Sequence, residues 1–450
     1  MNRIYQRLRV SSDRTQNIVK HIGWSTLYKG GSILANFLLV PLTIAYLDQE
    51  NYGVWLTLSS FVGWFSILDI GLGNGLRNKF AEAKAKGDLL LARAYVSCAY
   101  YVIGFIGVGV IAIFLLVNVF VDWTIVFNTS AGLKGDLGIL MPIVFAFFIL
   151  QLVTKLITTI YAADQQHSVQ GKIEFFIQVL SLLIVWLLSK TTGSSLLLFG
   201  SMFSVLPVVI LLGLNVFAFN NRYKDFKPTL KLWERKFIKD ITGLGFHFFI
   251  IQMATTVLLS TDNIIITNLF APEEVVPYNV SLKYFSIVLM GYAMVTAPYW
   301  SSFTEAYVNK DFEWIKHSVR NIQKLWWAVP FILGIMFLVS DWFYVVWVGD
   351  KIKVPTTLSL SMGLYVMMAT FQSIYYKFIN AVGKIKIQLI ISIISIVINI
   401  PLSLLFAKTF NLGLAGVILA TCFSFAISVV IGPIQYQKLI THNAFGIWNK

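Results

Sequence analysis

Six charged side chains lie inside stretches of sequence that are otherwise apolar. They are four lysines and two aspartates: Lys29, Asp69, Lys155, Asp262, Lys283 and Lys377. A charge near the centre of a bilayer costs about 2.5–3.5 kcal/mol, so such residues usually face a protein interior or water. Each is a candidate for binding or transport chemistry, with snorkelling or an intramembrane ion pair as the alternative. For Lys377, near the end of its apolar stretch, the alternative is the preferred interpretation.

The composition indicates the elements that must position these charges. Hydrophobic residues make up 57% of the 450 and charged residues only 12%, about half the charged share of a soluble domain. A helix crosses the hydrocarbon core with about 20 mostly apolar residues. The predicted fold is an all-α polytopic membrane protein with about twelve spans, near 22–46, 53–75, 94–120, 138–161, 172–189, 195–219, 241–270, 278–303, 325–345, 356–380, 386–408 and 412–437.

The basic residues predict the topology. Residues 1–21 are polar and basic and lack the apolar core of a signal peptide, which is typical of a cytoplasmic tail. With this tail inside, the Lys and Arg residues concentrate in cytoplasmic loops, as the positive-inside rule requires. Five lysines fall outside: Lys134, Lys190, Lys351, Lys353 and Lys408. The net charge of +14 is therefore explained by topology rather than by nucleic-acid binding, and both termini are predicted to be cytoplasmic.

An internal repeat predicts the domain organisation. Three short motifs occur once in each half of the chain, in the same order. "FAEAKAKGD" (Phe80–Asp88) matches "FTEAYVNKD" (Phe303–Asp311), and "VDWTIVF" (Val121–Phe127) matches "SDWFYVV" (Ser340–Val346). "GKI" occurs at 171–173 and again at 383–385. Six spans per half make these parallel repeats. We expect an N-lobe at 22–219 and a C-lobe at 241–437 around a central cavity, joined by a cytoplasmic linker at 220–240 and followed by a tail at 438–450.

The depths of the buried charges suggest a route for an anion. Lys29 and Lys155 fall in the cytoplasmic halves of their spans, whereas Asp262 and Lys283 fall in the outer halves. Lysine is a flexible point charge that holds phosphate without a fixed geometry. Lys29, Lys155 and Lys283 are therefore predicted to line the route, with Asp69 and Asp262 as charge partners or coupling groups.

Helix-weakening residues near these charges predict bending. Glycine costs a helix about 1 kcal/mol relative to alanine, and proline inside a span offers a kink. The predicted hinge positions are Gly71, Gly73, Gly75, Pro41 and Pro298.

Enzymatic chemistry has no support in the sequence. There is no phosphate-binding GxxxxGK[ST] motif and no metal-ligand spacing among the histidines. We therefore expect no cofactor, no metal and no catalytic residues.

Three stretches of the chain resemble a known family. Tyr52–Ala83, which contains "FSILDIGLGNGLRNKFAEA", resembles the second span and following loop of bacterial O-antigen and polysaccharide-repeat-unit flippases. "WVGDKIKVP" (Trp347–Pro355) and "AVGKIKIQL" (Ala381–Leu389) are similar to that family at matching places in the second half. These flippases form the polysaccharide transporter branch of the multidrug/oligosaccharidyl-lipid/polysaccharide exporter (MOP) superfamily.

The resemblance implies a fold, a substrate and a location. It implies two six-helix lobes that open alternately to each side of the bacterial inner membrane. Its substrate class is an oligosaccharide on an undecaprenyl pyrophosphate carrier, and Lys29 and Lys283 stand where related flippases carry basic residues. An inside-negative potential favours outward movement of an anion, with H⁺ or Na⁺ as the cation that resets the empty carrier.

Three other functions stay open at this point. A cation-coupled multidrug antiporter of the same superfamily should have an acidic N-lobe cavity, whereas lysines outnumber acids in these spans. A membrane glycan polymerase or ligase needs a sizeable outer loop, and the longest outer segment here is about residues 121–137. A sugar–cation symporter of another fold would not carry the Tyr52–Ala83 stretch.

Overall fold

Helices form the regular secondary structure of the protein. The computed structural model describes residues 2–65, 72–164, 166, 168–242, 260–296 and 299–449, and no strand occurs in these ranges. The all-helical prediction is therefore confirmed. The α-helices are α1 (Asn2–Gly63), α2 (Leu72–Ala85), α3 (Leu89–Phe120), α4 (Trp123–Val126), α5 (Lys134–Ala163), α6 (Ser168–Thr191), α7 (Leu196–Asn220), α8 (Arg235–Thr242), α9 (described over 260–269), α10 (Val275–Thr296), α11 (Tyr299–Val308), α12 (Phe312–Trp326), α13 (Ala328–Val348), α14 (Thr356–Ala381), α15 (Lys386–Leu404) and α16 (Gly413–Ile440).

Eight helical segments of the described chain are long and apolar enough to cross a membrane. They cover eight of the predicted spans: Leu27–Gly63, Leu89–Phe120, Ala131–Ala163, Val169–Thr191, Leu196–Asn220, Phe312–Val348, Lys386–Thr409 and Gly413–Ile440. Predicted spans 53–75 and 241–270 fall partly outside the described residues. Of the other two, span 356–380 coincides with α14, whereas span 278–303 overlaps α10, the start of α11 and residues 297–298, which lie outside the described residues. Neither α10 nor α14 has a stretch as apolar as the most apolar stretch of each of the eight segments. The membrane character is confirmed, and the number of twelve spans stays a prediction.

A kink within α1 lies between the first two predicted spans. The predicted spans end near 46 and begin again near 53, and between them α1 has a kink at Asp48 (φ 68°, ψ 177°) that joins two helical stretches. With ψ near 180°, this conformation is one that residues other than glycine rarely adopt, so the backbone at Asp48 is strained. One residue therefore redirects the chain, and helical hydrogen bonding resumes at once.

The chain divides into two compact units, which do not follow the two halves of the sequence. Unit 1 comprises Met1–Asp48, Phe65–Trp123 and Gly132–Phe246; unit 2 comprises Gln49–Trp64, Thr124–Ala131 and His247–Lys450. Two segments from the first half thus pack within the unit that holds the second half. The lobe boundaries predicted from the repeat stay predictions.

Unit 1 is built around an aromatic core at one end of α3, α5 and α7. Phe80 of α2 is fully buried and meets the ring of Phe226 edge-on at 5.0 Å. Tyr223 is buried against Tyr161 in the same arrangement, with ring centroids 4.9 Å apart. Such edge-to-face pairs add about 0.5–1.5 kcal/mol beyond area burial. They fix the segment that follows α7 onto the bundle.

Unit 2 is organised by α14 and α16, which pack along each other, with α15 and α10 on their flanks. A π-helical turn, Leu405–Thr409, extends α15. Gly416 lies against this turn so closely that a Cβ would stand 2.5 Å from the backbone nitrogen of Ala407. Glycine is required here for the close approach of two backbones.

One of the three sequence matches forms the same local structure in both halves. Asp88 caps α3 by accepting from the amide of Leu91 at 2.9 Å, and Asp311 caps α12 by accepting from the amide of Trp314 at 3.0 Å. The residue before each aspartate has a positive φ, 77° for Gly87 and 58° for Lys310. Both stretches therefore form the same helix–turn–helix connection.

The other two matches differ in local structure. Gly171 lies inside α6, whereas Gly383 has a φ of 72° in the turn between α14 and α15. Asp122 lies in the break between α3 and α4, whereas Asp341 lies within the continuous helix α13. These two pairs keep the order of the repeat, with GKI after α5 and after α14, but not the same local structure, because short matches do not fix where a helix begins.

Candidate functional site

Asp262 lies at the centre of a buried polar cluster in unit 2. Its side chain is fully buried on α9. The hydroxyl of Tyr278 on α10 donates to Oδ2 at 2.6 Å, and the hydroxyl of Thr421 on α16 donates to the same oxygen at 3.5 Å. A buried carboxylate is costly unless its oxygens are satisfied, so this aspartate is a strong candidate for a functional group.

Three buried oxygens of this region have no hydrogen-bond partner in the described structure. They are Oδ1 of Asp262, Oδ1 of Asn399 and Oγ of Ser403. Asn399 is tied to the cluster because its amide donates to Thr421 Oγ1 at 3.0 Å. Ser403 follows one turn later on the same face of α15. An unsatisfied buried acceptor costs about 1–3 kcal/mol, so each of these oxygens is a candidate to bind a proton or a small cation.

The sequence pattern predicted Asp262 but not the residues around it. Tyr278, Asn399, Ser403 and Thr421 come from three other helices, and a single sequence does not show which helix faces meet. The detectable signal was the recurrence of polar residues every four positions in the largely apolar α15, at Ser395, Asn399 and Ser403.

A second polar layer in unit 2 joins residues 49–64 to α9. The hydroxyls of Thr57 and Thr267 are 2.6 Å apart, and both residues are fully buried. Asn263 donates to Ser60 Oγ at 2.8 Å and accepts from Asn279 at 2.9 Å. The segment is therefore held by hydrogen bonds as well as by packing.

Contacts to backbone atoms also hold residues 49–64 and Asn128 against α9 and the turn that follows it. A Cβ on Gly53 would stand 1.8 Å from the carbonyl oxygen of Pro272. Gln49 donates to the carbonyl of Glu273 at 3.1 Å, and Asn128 donates to the carbonyl of Thr267 at 2.9 Å.

The three lysines predicted to bind an anion lie on long helices, and their ammonium groups have no hydrogen bond or ion pair within the described residues. Lys29 on α1 and Lys155 on α5 are exposed in unit 1, and Lys283 on α10 is half-buried in unit 2. An unpaired cation in a membrane span must reach water, a headgroup or an anionic ligand. Their role in binding stays a prediction.

Lys377 differs from these three lysines. Its ammonium donates to the hydroxyl of Thr296 across the α10–α14 contact. This contact agrees with a structural role, the interpretation preferred from the sequence.

The structure describes only some of the remaining predicted charge and hinge positions. Asp69, Gly71 and Pro298 lie outside the described residues. Gly73 and Gly75 are buried in the first turn of α2, and Pro41 lies within α1. The predicted hinge function stays untested.

An ion-pair cluster at the ends of α2, α5 and α7 was missed by the sequence reasoning. Asp164 accepts from Lys84, from Arg222 (Nη2, 2.8 Å) and from the hydroxyl of Tyr223 (3.2 Å). Burial disfavours the charged carboxylate, but the hydrogen bonds from Lys84 and Arg222 outweigh it and hold the pKa of Asp164 below its ordinary value. The cluster links three helix ends of unit 1, and Lys84 and Tyr223 are 139 positions apart in the chain, so no local sequence motif predicts it.

Comparisons with known proteins identify the relatives of the chain. No family model matches it. It is 22% identical over 430 residues to the "Putative O-antigen export protein" of Yersinia pseudotuberculosis, covering 88% of this chain and 90% of the relative. It is also 22% identical over 415 residues to the "Putative O-antigen transporter" of Salmonella typhimurium, covering 88% and 91%. The chain is a distant homologue of these two proteins.

Solved structures agree on the fold. An inward-facing multidrug resistance MATE family transporter of the MOP superfamily superimposes with a TM-score of 0.79 at 15% identity, covering 92% of this chain and 95% of that one. An outward-facing MATE transporter gives 0.66, with 94% and 96% covered. A MOP superfamily transporter from Pyrococcus furiosus gives 0.64 at 16% identity, with 95% and 94% covered. The chain thus has a MATE-like fold, and its homology places it among transporters rather than enzymes.

Proposed function

We propose that this homologue of O-antigen transporters is a flippase. It moves an undecaprenyl-pyrophosphate-linked oligosaccharide repeat unit from the inner to the outer leaflet of the bacterial cytoplasmic membrane by alternating access. The observation that carries the proposal is the homology over 88% of the chain to two O-antigen transporters. The MATE-like fold supports alternating access, because structures with this fold exist in both inward-facing and outward-facing conformations.

The direction of transport has a physical driving force. The pyrophosphate carries negative charge, and an inside-negative potential contributes about 2.3 kcal/mol per charge per 100 mV to outward movement. Lysines without an ion-pair partner in the predicted spans can attract the negatively charged pyrophosphate headgroup.

Deletion of the gene in its native host tests the proposal. Lipid-linked repeat units should accumulate in the cytoplasmic leaflet, surface glycan should be lost, and the wild-type gene should restore both. Susceptibility to cationic drugs should stay unchanged. A normal surface glycan with increased drug susceptibility would instead identify an exporter of drugs.

The three lysines are assigned to the pyrophosphate. Lys29, Lys155 and Lys283 each supply an unpaired ammonium, and exchange of any one for alanine should reduce repeat-unit export at unchanged protein levels. Lys190→Ala is the matched control, since Lys190 is an exposed lysine in the last turn of α6. Full export by Lys29→Ala or Lys283→Ala would refute the assignment.

Asp262 is assigned to cation coupling. Its Oδ1, together with Asn399 Oδ1 and Ser403 Oγ, offers unsatisfied oxygens to a proton or to Na⁺. Oxygen ligands suit a hard cation, and a protonated carboxyl could instead donate to the Asn399 amide oxygen.

A stability measurement distinguishes the two cations. If Na⁺ couples, NaCl should raise the unfolding temperature of the purified protein more than KCl at equal ionic strength, and Asp262→Asn should abolish the difference. If H⁺ couples, NaCl and KCl should have the same effect on the unfolding temperature. Export by the Asp262→Asn variant should then no longer depend on pH. Exposed Asp225→Asn is the matched control. Unchanged export by Asp262→Asn would refute coupling through this residue.

A further inference from the structure

The segment after α7, Asn221–Glu234, combines exposed apolar and basic side chains beside the membrane-spanning helices of unit 1. Leu230 is 58% exposed and Trp233 is 43% exposed. Lys224, Lys227 and Lys231 are also exposed and have no ion pair among the described residues. We call this stretch the linker segment.

The linker segment is fixed rather than loosely attached. Arg93 Nε of α3 donates to the carbonyl of Lys227 at 2.9 Å, and the amide of Thr229 donates to Ser97 Oγ at 3.0 Å. Phe226 is buried in the core of unit 1. The hydrogen bonds use backbone groups of the linker segment, so the lysine ammonium groups remain available.

The attachment points set the depth of the linker segment. Helix α3 has 32 residues, about 48 Å at 1.5 Å per residue, whereas the hydrocarbon core is about 30 Å thick. Because Asp88 and Arg93 are charged, the surplus length falls at this end of α3, and its first turns therefore extend into the headgroup layer. Leu90 in the first turn is 69% exposed, as expected for a side chain in contact with lipid.

We propose that the linker segment binds the anionic phospholipids of the cytoplasmic leaflet, under the predicted topology. Leu230 and Trp233 insert at the headgroup level, where tryptophan is enriched, and the three lysines attract negative headgroups. A basic residue near an anionic surface gains about 1 kcal/mol, roughly a fivefold increase in local lipid concentration per lysine. The partner is a lipid surface, and the inference is independent of the transported substrate.

A fluorescent probe tests the location. The buried cysteines Cys98 and Cys422 are replaced by alanine, Leu230→Cys is labelled with an environment-sensitive fluorophore, and the full chain is reconstituted in nanodiscs. Brominated lipid should quench the probe. Asp225→Cys, an exposed position of the same segment, should be quenched much less. A probe at position 230 that stays unquenched would overturn the proposal.

Lipid selectivity tests the role of the lysines. At equal mole fractions, brominated phosphatidylglycerol should quench the probe at position 230 several-fold more than brominated phosphatidylcholine, and high salt should reduce the ratio. The variant with Lys224, Lys227 and Lys231 changed to glutamine should give a ratio near one.

The matched control removes the same charge elsewhere. It carries glutamine at Lys190, Lys351 and Lys353, exposed lysines on the opposite predicted side, and should keep the wild-type ratio. Equal quenching by both lipids in the wild type, or the same loss in both triple variants, would overturn the proposal.

Discussion

Exchange of Gly53 for alanine tests how residues 49–64 are held in unit 2. The added Cβ would stand 1.8 Å from the carbonyl oxygen and 2.4 Å from the carbonyl carbon of Pro272. Both atoms belong to the backbone, so no side-chain rotation can relieve the contact. The helix or the Pro272–Glu274 turn must move.

The displacement follows from the distances. Real Cβ contacts are almost never shorter than 3.0 Å, so the backbones must separate by about 1.2 Å if they move directly apart. The same shift one turn along would stretch the 2.6 Å contact between the hydroxyls of Thr57 and Thr267 beyond hydrogen-bonding distance. Overpacking costs about 1–3 kcal/mol, and a lost hydrogen bond adds about 1 kcal/mol. The gain of about 1 kcal/mol in helix propensity from alanine leaves a net destabilisation of about 1–3 kcal/mol.

Thermal unfolding in detergent, followed by intrinsic tryptophan fluorescence, measures this effect. The control is Gly30→Ala in the same helix, where nothing lies within 4 Å of the added Cβ. Gly53→Ala should lower the unfolding temperature, whereas Gly30→Ala should leave it unchanged or raise it. If the two variants are equally stable, the close contact with Pro272 does not exist as described.

Three other changes test further parts of the fold. Because its ion pairs hold the pKa of Asp164 below the ordinary value near 4, they contribute stability at neutral pH that is lost as the pH falls through the folded-state pKa. Asp164→Asn should therefore lower the unfolding temperature at pH 7 and flatten its decline toward acid pH, with exposed Asp225→Asn as the control. Asp311→Ala removes the cap on the amide of Trp314 and should cost about 0.5–2 kcal/mol in the same unfolding assay, and Asp311→Asn should restore most of it. Gly416→Ala brings a Cβ to 2.5 Å from the backbone of the π-helical turn and should destabilise by about 1–3 kcal/mol, which denaturant titration would measure; an unchanged midpoint would contradict the packing.

Sequence reasoning placed the helices well because long apolar stretches fix their positions independently of tertiary structure. Predicted span 356–380 corresponds to α14 at Thr356–Ala381, and predicted span 412–437 corresponds to α16 at Gly413–Ile440. The boundary between predicted spans 22–46 and 53–75 corresponds to a kink at one residue, Asp48, whose position the polarity of the stretch does not reveal.

The candidate site was less predictable. Asp262 stands out as a charge in an apolar stretch, but its partner Thr421 lies 159 residues away. In a span that is apolar on all sides, hydrophobic periodicity does not show which face meets a neighbour. Contacts between helices therefore required the structure.

The hydrogen bond between Thr57 and Thr267 has a consequence for biosynthesis. The two residues are 210 positions apart, so at 5–20 residues per second the ribosome adds Thr267 about 10–40 s after Thr57. During this interval the earlier segment must reside in the translocon or bilayer without its later neighbour. The Thr57 hydroxyl also bonds to the carbonyl of Gly53 in its own helix, at 3.0 Å, and this local bond satisfies it in lipid. The nascent segment can therefore enter the membrane early and acquire its long-range bond once α9 has been made.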